Sequence, residues 1–274
     1  MKWARIAVAY LICAMCARSQ PQWRESPGYR AYQRGNTLFI AKKFPESEAA
    51  IDEALRLDPK LVPALTLKAK LAMASNRFDM ARGSLEQALA VDPNSGYAEF
   101  LYGMEAYVTS DLRLALPRFE KARQLSPADP RVALYLGFTS EALGHTDKAM
   151  SYYEEAVRLE QSASAPQAAT FLAGSRLLLL MGRQEDCGRW IAQALKVEPG
   201  SRDGHFELAR LLLIKGEAAK AVREGETALV LHGGDATDAQ IHYLLIRAYR
   251  DSGSPAQATR HADILRLLDA KAPR

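Results

Sequence analysis

Five histidines, one mid-chain cysteine and two pairs of adjacent acids are the residues whose types could carry chemistry. The imidazoles are His145, His205, His232, His242 and His261. A zinc site needs three or four ligands that converge, usually announced by HExxH or paired-cysteine spacing. Neither spacing occurs, and His205 and His242 share only an approximate repeat register. There is no glycine-rich phosphate loop of the Walker or dinucleotide type and no serine nucleophile elbow. Glu154 with Glu155, and Glu185 with Asp186, are neighbours on helical segments. Consecutive helical side chains diverge by about 100°, so these are solvated acids rather than an acid–base couple. Cys187 stands twelve residues before Pro199, the register of Ala81 and Ala115 before their own prolines. It reads as a small buried hydrophobe and not a nucleophile. The expectation is a protein that is not an enzyme and has no cofactor and no metal.

Side chains that bind rather than react are laid out more regularly. Tyr32, Asn36 and Phe39 fall at i, i+4 and i+7 on one helix face, as do Thr66, Lys70 and Met73, and Phe100, Met104 and Tyr107. The same register continues through Leu134, Phe138 and Glu141, then Leu172, Arg176 and Leu179, then Phe206, Arg210 and Leu213, then Tyr243, Arg247 and Arg250. Aromatic and methionine side chains mark the earlier faces, and Arg176, Arg210 and Arg247 form a ladder on the later ones. Arginine holds carboxylates through two parallel hydrogen bonds, and aromatic rings anchor a partner once water is excluded. Two readings stand open for these residues. Either they face a partner, or Phe100, Leu172 and Phe206 belong to the core and the arginines pair with acids of a neighbouring repeat.

The elements that would position these faces recur with a fixed period. Pro59, Pro93 and Pro127 are 34 residues apart, with Ala54, Ala88 and Ala122 five residues before them and Gly35, Ala69 and Gly103 twenty-four before. Small residues at one register let two helices approach closely, because a larger side chain would overfill the contact. Asp58, Asp92 and Ser126 precede the prolines, and a residue in that position is steered out of the α region, which ends a helix. Gly144, Gly182, Gly216 and Gly253 mark a later turn at spacings of 38, 34 and 37. About four and three residues are therefore inserted near EQSASAPQ and HGGDATD.

The 34-residue period with its small, alanine and proline positions resembles the tetratricopeptide repeat. The segment 134–160 is similar to one whole repeat, with Leu136 and Gly137 in the first helix, Gly144 in the turn, and Ala149, Tyr153 and Ala156 in the second. The resemblance implies an all-α fold, a right-handed α-solenoid of stacked antiparallel helix pairs forming a TPR-like superhelix, with about seven pairs over residues 28–271. It further implies that first helices line a concave groove holding a protein or peptide segment; the arginine ladder itself points to a carboxylate or acidic stretch of that segment on the arginine half. The large aromatic expected early in each first helix is replaced by Ala31, Leu65, Glu99, Ala133 and His205, while Phe171 keeps the type. The Lys/Asn/Arg clamp of chaperone-binding members is not reproduced, since Tyr32 stands where its lysine would be and only Asn36 matches.

The N-terminus follows different rules. Lys2 and Arg5 precede the apolar run IAVAYLICAMCA, and Ala17-Arg18-Ser19 has the small-x-small form of a signal-peptidase site. Residues 1–19 are expected to be an export signal cleaved before Gln20, 20–27 a linker and 272–274 a tail. Export to the periplasm or cell exterior would follow. Membrane attachment would come only from an uncleaved signal or a lipid anchor. The whole chain has 36 basic and 32 acidic residues and a formal charge of +4. The signal holds Lys2, Arg5 and Arg18 and no acid, so its loss leaves a charge of +1, which removes the main support for nucleic-acid binding. With Cys13 and Cys16 also in the signal, Cys187 has no internal disulfide partner. The function expected is a scaffold or adaptor in assembly of a cell-envelope complex, with a regulatory or substrate-recognition subunit of an envelope enzyme as the alternative. The final helix, with Arg260, His261, Arg266 and Lys271, reads as a solvated cap.

Overall fold

A computed structural model of the chain describes residues 26–271; the expected export signal and the C-terminal tail lie outside them. The described residues form fourteen α-helices in two compact units, one ending at Pro127 and the other beginning at Ala128. The first unit contains α1 (Pro27–Ile40), α2 (Phe44–Leu57), α3 (Val62–Ala74), α4 (Phe78–Val91), α5 (Gly96–Val108) and α6 (Leu112–Leu125). The second contains α7 (Pro130–Ala142), α8 (Thr146–Ser162), α9 (Ala168–Leu180), α10 (Gln184–Val197), α11 (Arg202–Ile214), α12 (Ala218–Val230), α13 (Asp238–Asp251) and α14 (Pro255–Lys271). Within each unit, successive helices pair and each pair stacks on the next. No described helix is long and apolar enough to cross a membrane.

Packing inside a pair sets this geometry. Ala54, Ala88 and Ala122 in the first unit, and Ala156, Ala194 and Ala228 in the second, are 0% exposed. They leave room for the large side chains of the second helix to reach the first. The Phe119 ring of α6 lies against Gly103 of α5 so closely that a Cβ there would stand 2.6 Å from it, inside any tolerated contact. Tyr153 of α8 presses on Gly137 of α7 in the same way. Ile51, Leu85, Phe119 and Tyr153, spaced by 34 residues, are all fully buried. The period therefore encodes a repeated small-against-large contact that lets the helices close to native packing density.

Helix ends follow the local sequence. Ser26 and Ser95 accept hydrogen bonds from the amides of Tyr29 and Ala98 at 3.1 and 3.3 Å, and Thr237 and Gln240 complete a reciprocal capping box on α13. The residues before the three repeat prolines are the C-caps, with φ of −144° at Asp58, −132° at Asp92 and −139° at Ser126. The prolines themselves occupy the turns between pairs.

The two predicted insertions take different forms. The first lengthens α8 to 17 residues, and its loop is held by buried Glu160, which accepts from Thr170 Oγ1 at 2.6 Å and the Gln167 amide at 3.0 Å. The second is a loop over 231–237 fastened to the start of α11. Asp203 there accepts the amides of Asp235 and Ala236 at 2.9 and 2.8 Å, and Arg202 donates to the Leu231 carbonyl at 2.9 Å and to Asp238.

The turn within each pair needs one residue in the left-handed region. Gly144, Gly182, Gly216 and Gly253 supply it in the second unit with φ of 74° to 77°. The first unit places Lys42, Asn76 and Ser110 there with φ of 57°, 55° and 63°, a position where a β-carbon is strained. Ser110→Gly is expected to stabilise the protein by roughly 0.5–1 kcal/mol and Gly144→Ala to destabilise it by about 1 kcal/mol, both read from urea unfolding midpoints.

Candidate partner-binding faces

In the first unit the faces expected to bind lie on α1, α3 and α5, which pack on one another in order. Phe39 of α1 sits beneath Lys70 of α3, whose ammonium lies 4.6 Å from the ring centroid, and stacks obliquely on Phe44 at 5.7 Å. The register thus brings these two predicted residues together across adjacent first helices. Tyr32 is half-buried beside Tyr29 at 5.3 Å. Burial, followed by the Tyr29 and Tyr97 phenols, pushes its hydroxyl above the ordinary tyrosine range. Asn36, Met73, Met104 and Tyr107 are partly exposed on the same helices.

Phe100 corrects the register. Only 4% exposed, it packs at 5.9 Å on Phe119, so it fills the core between α5 and α6 rather than facing a partner. A neighbouring position on a helix is rotated by about 100°, enough to carry a ring from face to interior. Thr66 and Leu172 are likewise buried. Phe138 of α7 is half-buried, its ring edge-on to Tyr135 and Tyr153 at 5.8 and 5.7 Å. It seals the edge of the core.

The arginine ladder of the second unit divides in two. Glu207 of α11, almost fully buried, accepts from Arg176 of α9 at 2.9 Å and from Arg210 at 2.7 Å. Two of the three arginines are therefore paired, and the Arg176–Glu207–Arg210 group keeps one positive charge. Arg247 of α13 is 65% exposed, with Asp251 at 3.6 Å, beyond hydrogen-bond length. Glu207 was not among the expected site residues; its place one residue after Phe206, and three before Arg210, is the signal that could have found it.

Arg210 and Arg247 border a cavity of about 580 Å³ among α11, α13 and α14. Its walls include Phe206, Leu213, Ile214, Tyr243 and Leu265, and among the described residues no acid lines it. Tyr243 is 71% and Ile214 48% exposed. A smaller cavity of about 250 Å³ adjoins it, sharing Phe206, Arg210 and Gln240 and reaching Arg176. The loop pinned by Asp203 supplies Asp235 and Ala236 to that second space.

The reactive side chains are held in structural roles. Cys187 is 1% exposed, and burial, with Glu207 nearby, pushes its thiol up to about 11, which leaves almost no thiolate at neutral pH. His242 pairs with His261 of α14 through Nδ1 atoms 2.8 Å apart. His261 is therefore 8% exposed and stacked on Tyr249 at 5.3 Å, a correction to the reading of α14 as wholly solvated. Glu226 of α12 stands 3.2 Å from its Nε2 and accepts from the Tyr249 hydroxyl at 3.0 Å. Among the described residues no group of three or more histidine, cysteine or acidic side chains is placed to hold a metal.

Helix pairs with buried small residues at a 34-residue period define the class of a helical-hairpin repeat protein. The tetratricopeptide-repeat family model matches residues 66–130 and 103–169, and the helix pairs of that stretch are tetratricopeptide repeats. Among curated proteins it is 20% identical over 176 residues to anaphase-promoting complex subunit 3 of Schizosaccharomyces pombe, a match covering 64% of this chain and 26% of that protein. Among solved structures it is similar to Pseudomonas aeruginosa pilF, with a TM-score of 0.68 at 20% identity over 77% of this chain and 95% of that one. It is also similar to YrrB, described as a TPR protein with an unusual peptide-binding site, with a TM-score of 0.55 at 18% identity over 74% and 98% of the two chains. The fold is that of a protein-interaction scaffold.

Two stability measurements check these placements. Phe100→Ala is expected to cost about 3–5 kcal/mol as a core deletion, whereas Tyr243→Ala should leave the urea midpoint nearly unchanged. The His242 imidazolium is disfavoured first by burial and then by His261, with Asp238 and Glu226 opposing, which holds its pKa below the usual 6.5. The unfolded chain therefore takes up this proton first, so stability is full above pH 6.5 and falls as the pH drops from there to the lowered folded value. His242→Phe should flatten that part of the pH–stability curve.

Proposed function

We propose that the chain is a non-catalytic adaptor of the cell envelope that holds a segment of another protein on the first-helix face of its second unit. One observation carries the binding part of this reading. A preformed, largely apolar cavity bordered by Arg210 and Arg247 lies open beside the exposed Tyr243 ring. Apolar walls with a few placed polar groups are what a binding pocket requires. The envelope part is supported by the sequence: two basic residues, a short apolar run and a small-x-small site precede Gln20. The likeness to pilF is a likeness of fold.

Crosslinking in intact cells, recovery of the chain, and reading of both its N-terminal residue and its attached partner test the proposal. The expected result is a chain starting at Gln20 in the envelope fraction, crosslinked to a defined protein that is lost with the double variant Tyr243→Ala, Arg247→Glu. A chain starting at Met1 in the soluble cell interior, or a crosslinked partner indifferent to the double variant, would contradict it.

A further inference from the structure

We infer that His242 and His261 form a proton-operated latch that fastens α14 as a wall of the cavity, so that acid releases this helix and takes the wall away. The latch regulates the proposed partner site, and in that part it rests on the adaptor reading. Ala258, His261 and Leu265 fall at i, i+3 and i+7 on one face of α14. Leu265 lines the cavity, and Ala258 and His261 are the buried side chains of that helix among the described residues. α14 packs chiefly on α13, so the docking of a cavity wall depends on one buried imidazole.

The contact between the rings tolerates a limited number of protons. Their Nδ1 atoms lie 2.8 Å apart, a hydrogen bond that needs a single hydrogen between them. Glu226 of α12 stands 3.2 Å from His261 Nε2. Its carboxylate favours the Nε2–H tautomer of His261, so the Nδ1 of that ring accepts and the Nδ1 of His242 donates. With both rings protonated each Nδ1 carries a hydrogen, neither accepts, and two positive charges face one another.

The surrounding groups do not neutralise that second charge. Asp238 of α13 favours the His242 imidazolium but is engaged by Arg202 of α11. Glu226 already accepts from the Tyr249 hydroxyl, and Arg260 of α14 adds a positive group near that hydroxyl. Burial, followed by His261, holds the His242 pKa below the usual 6.5. Release of α14 exposes His242 to water, where it takes up its proton first. Docking is therefore full above pH 6.5 and weakens as the pH falls below it. Residues 26–127 contain no histidine, nor do α9 and α10, so these helices lack the proton uptake.

Hydrogen exchange of the full chain from about pH 7.5 to about pH 5.5, each rate divided by the intrinsic rate at that pH, reads the open fraction of α14. The expected result is a rise in that fraction below pH 6.5, by up to about tenfold per pH unit for each proton taken up, with α1–α6, α9 and α10 unchanged. His242→Asn does not titrate and can offer His261 either a donor or an acceptor. It should keep α14 protected at neutral pH and cut the pH response about threefold or more. Glu226→Gln removes the compensating carboxylate and should enlarge the loss. Protection of α14 that ignores pH, a loss shared equally by the first unit, or a wild-type response in either variant would overturn the inference. If α14 ignores pH while a partner is still crosslinked in cells, the latch falls and the adaptor reading stands. If α14 responds as expected but no partner is crosslinked, the latch stands and the adaptor reading falls.

Discussion

The close contact between a small residue on one helix and a large residue on its partner is the constraint on which the structure depends. Phe119 against Gly103 and Tyr153 against Gly137 leave no space for a β-carbon, and the fully buried alanines near the ends of the second helices complete the contact. Closely packed helices have fixed separations, and the repeat renews that separation every 34 residues in the first unit and, with two insertions, along the second. Apolar burial shared between neighbouring pairs is the main stabilising contribution in such an array. The binding faces follow from it, because once the small residues turn inward, the rotation of the helix determines what is left outside.

Fixing the rotation also makes polar groups on the first helices play different parts. Glu207 is turned inward and bridges Arg176 and Arg210, as Glu105 of α5 accepts from Nε and Nη2 of Arg82. A buried carboxylate without such partners would be strongly unfavourable, so these arginines position helices as well as line a face. Arg247 and Tyr243 lie further out. Asp203 and Arg202 meanwhile hold the inserted loop in one place, which shapes the small cavity beside the larger one.

The fold was legible because its signal is periodic: the proline, alanine and small-residue registers each recur with the contact they encode. The site was legible only where a residue's neighbours lie on the same helix, as for Tyr243 and Arg247. Phe100 was misplaced because its register neighbours Tyr32 and Phe206 are partly exposed while its own ring turns onto Phe119. The Glu207 bridge and the pairing of His242 with His261 join residues 31 and 19 apart, and no single-helix pattern reports such contacts. The left-handed turn in the first unit was hidden for another reason: Lys42, Asn76 and Ser110 occupy it where glycine would have announced it.

The central claim is that the packed pairs present one preformed site, on the face of α11 and α13 beside Leu265 of α14. Hydrogen exchange of the full chain, free and in complex with the partner recovered by crosslinking, tests it most directly. The account predicts added protection confined to peptides covering 206–214 and 239–247, with the first unit unchanged. Protection spread over the first unit, or centred on segments that line neither cavity, would contradict it.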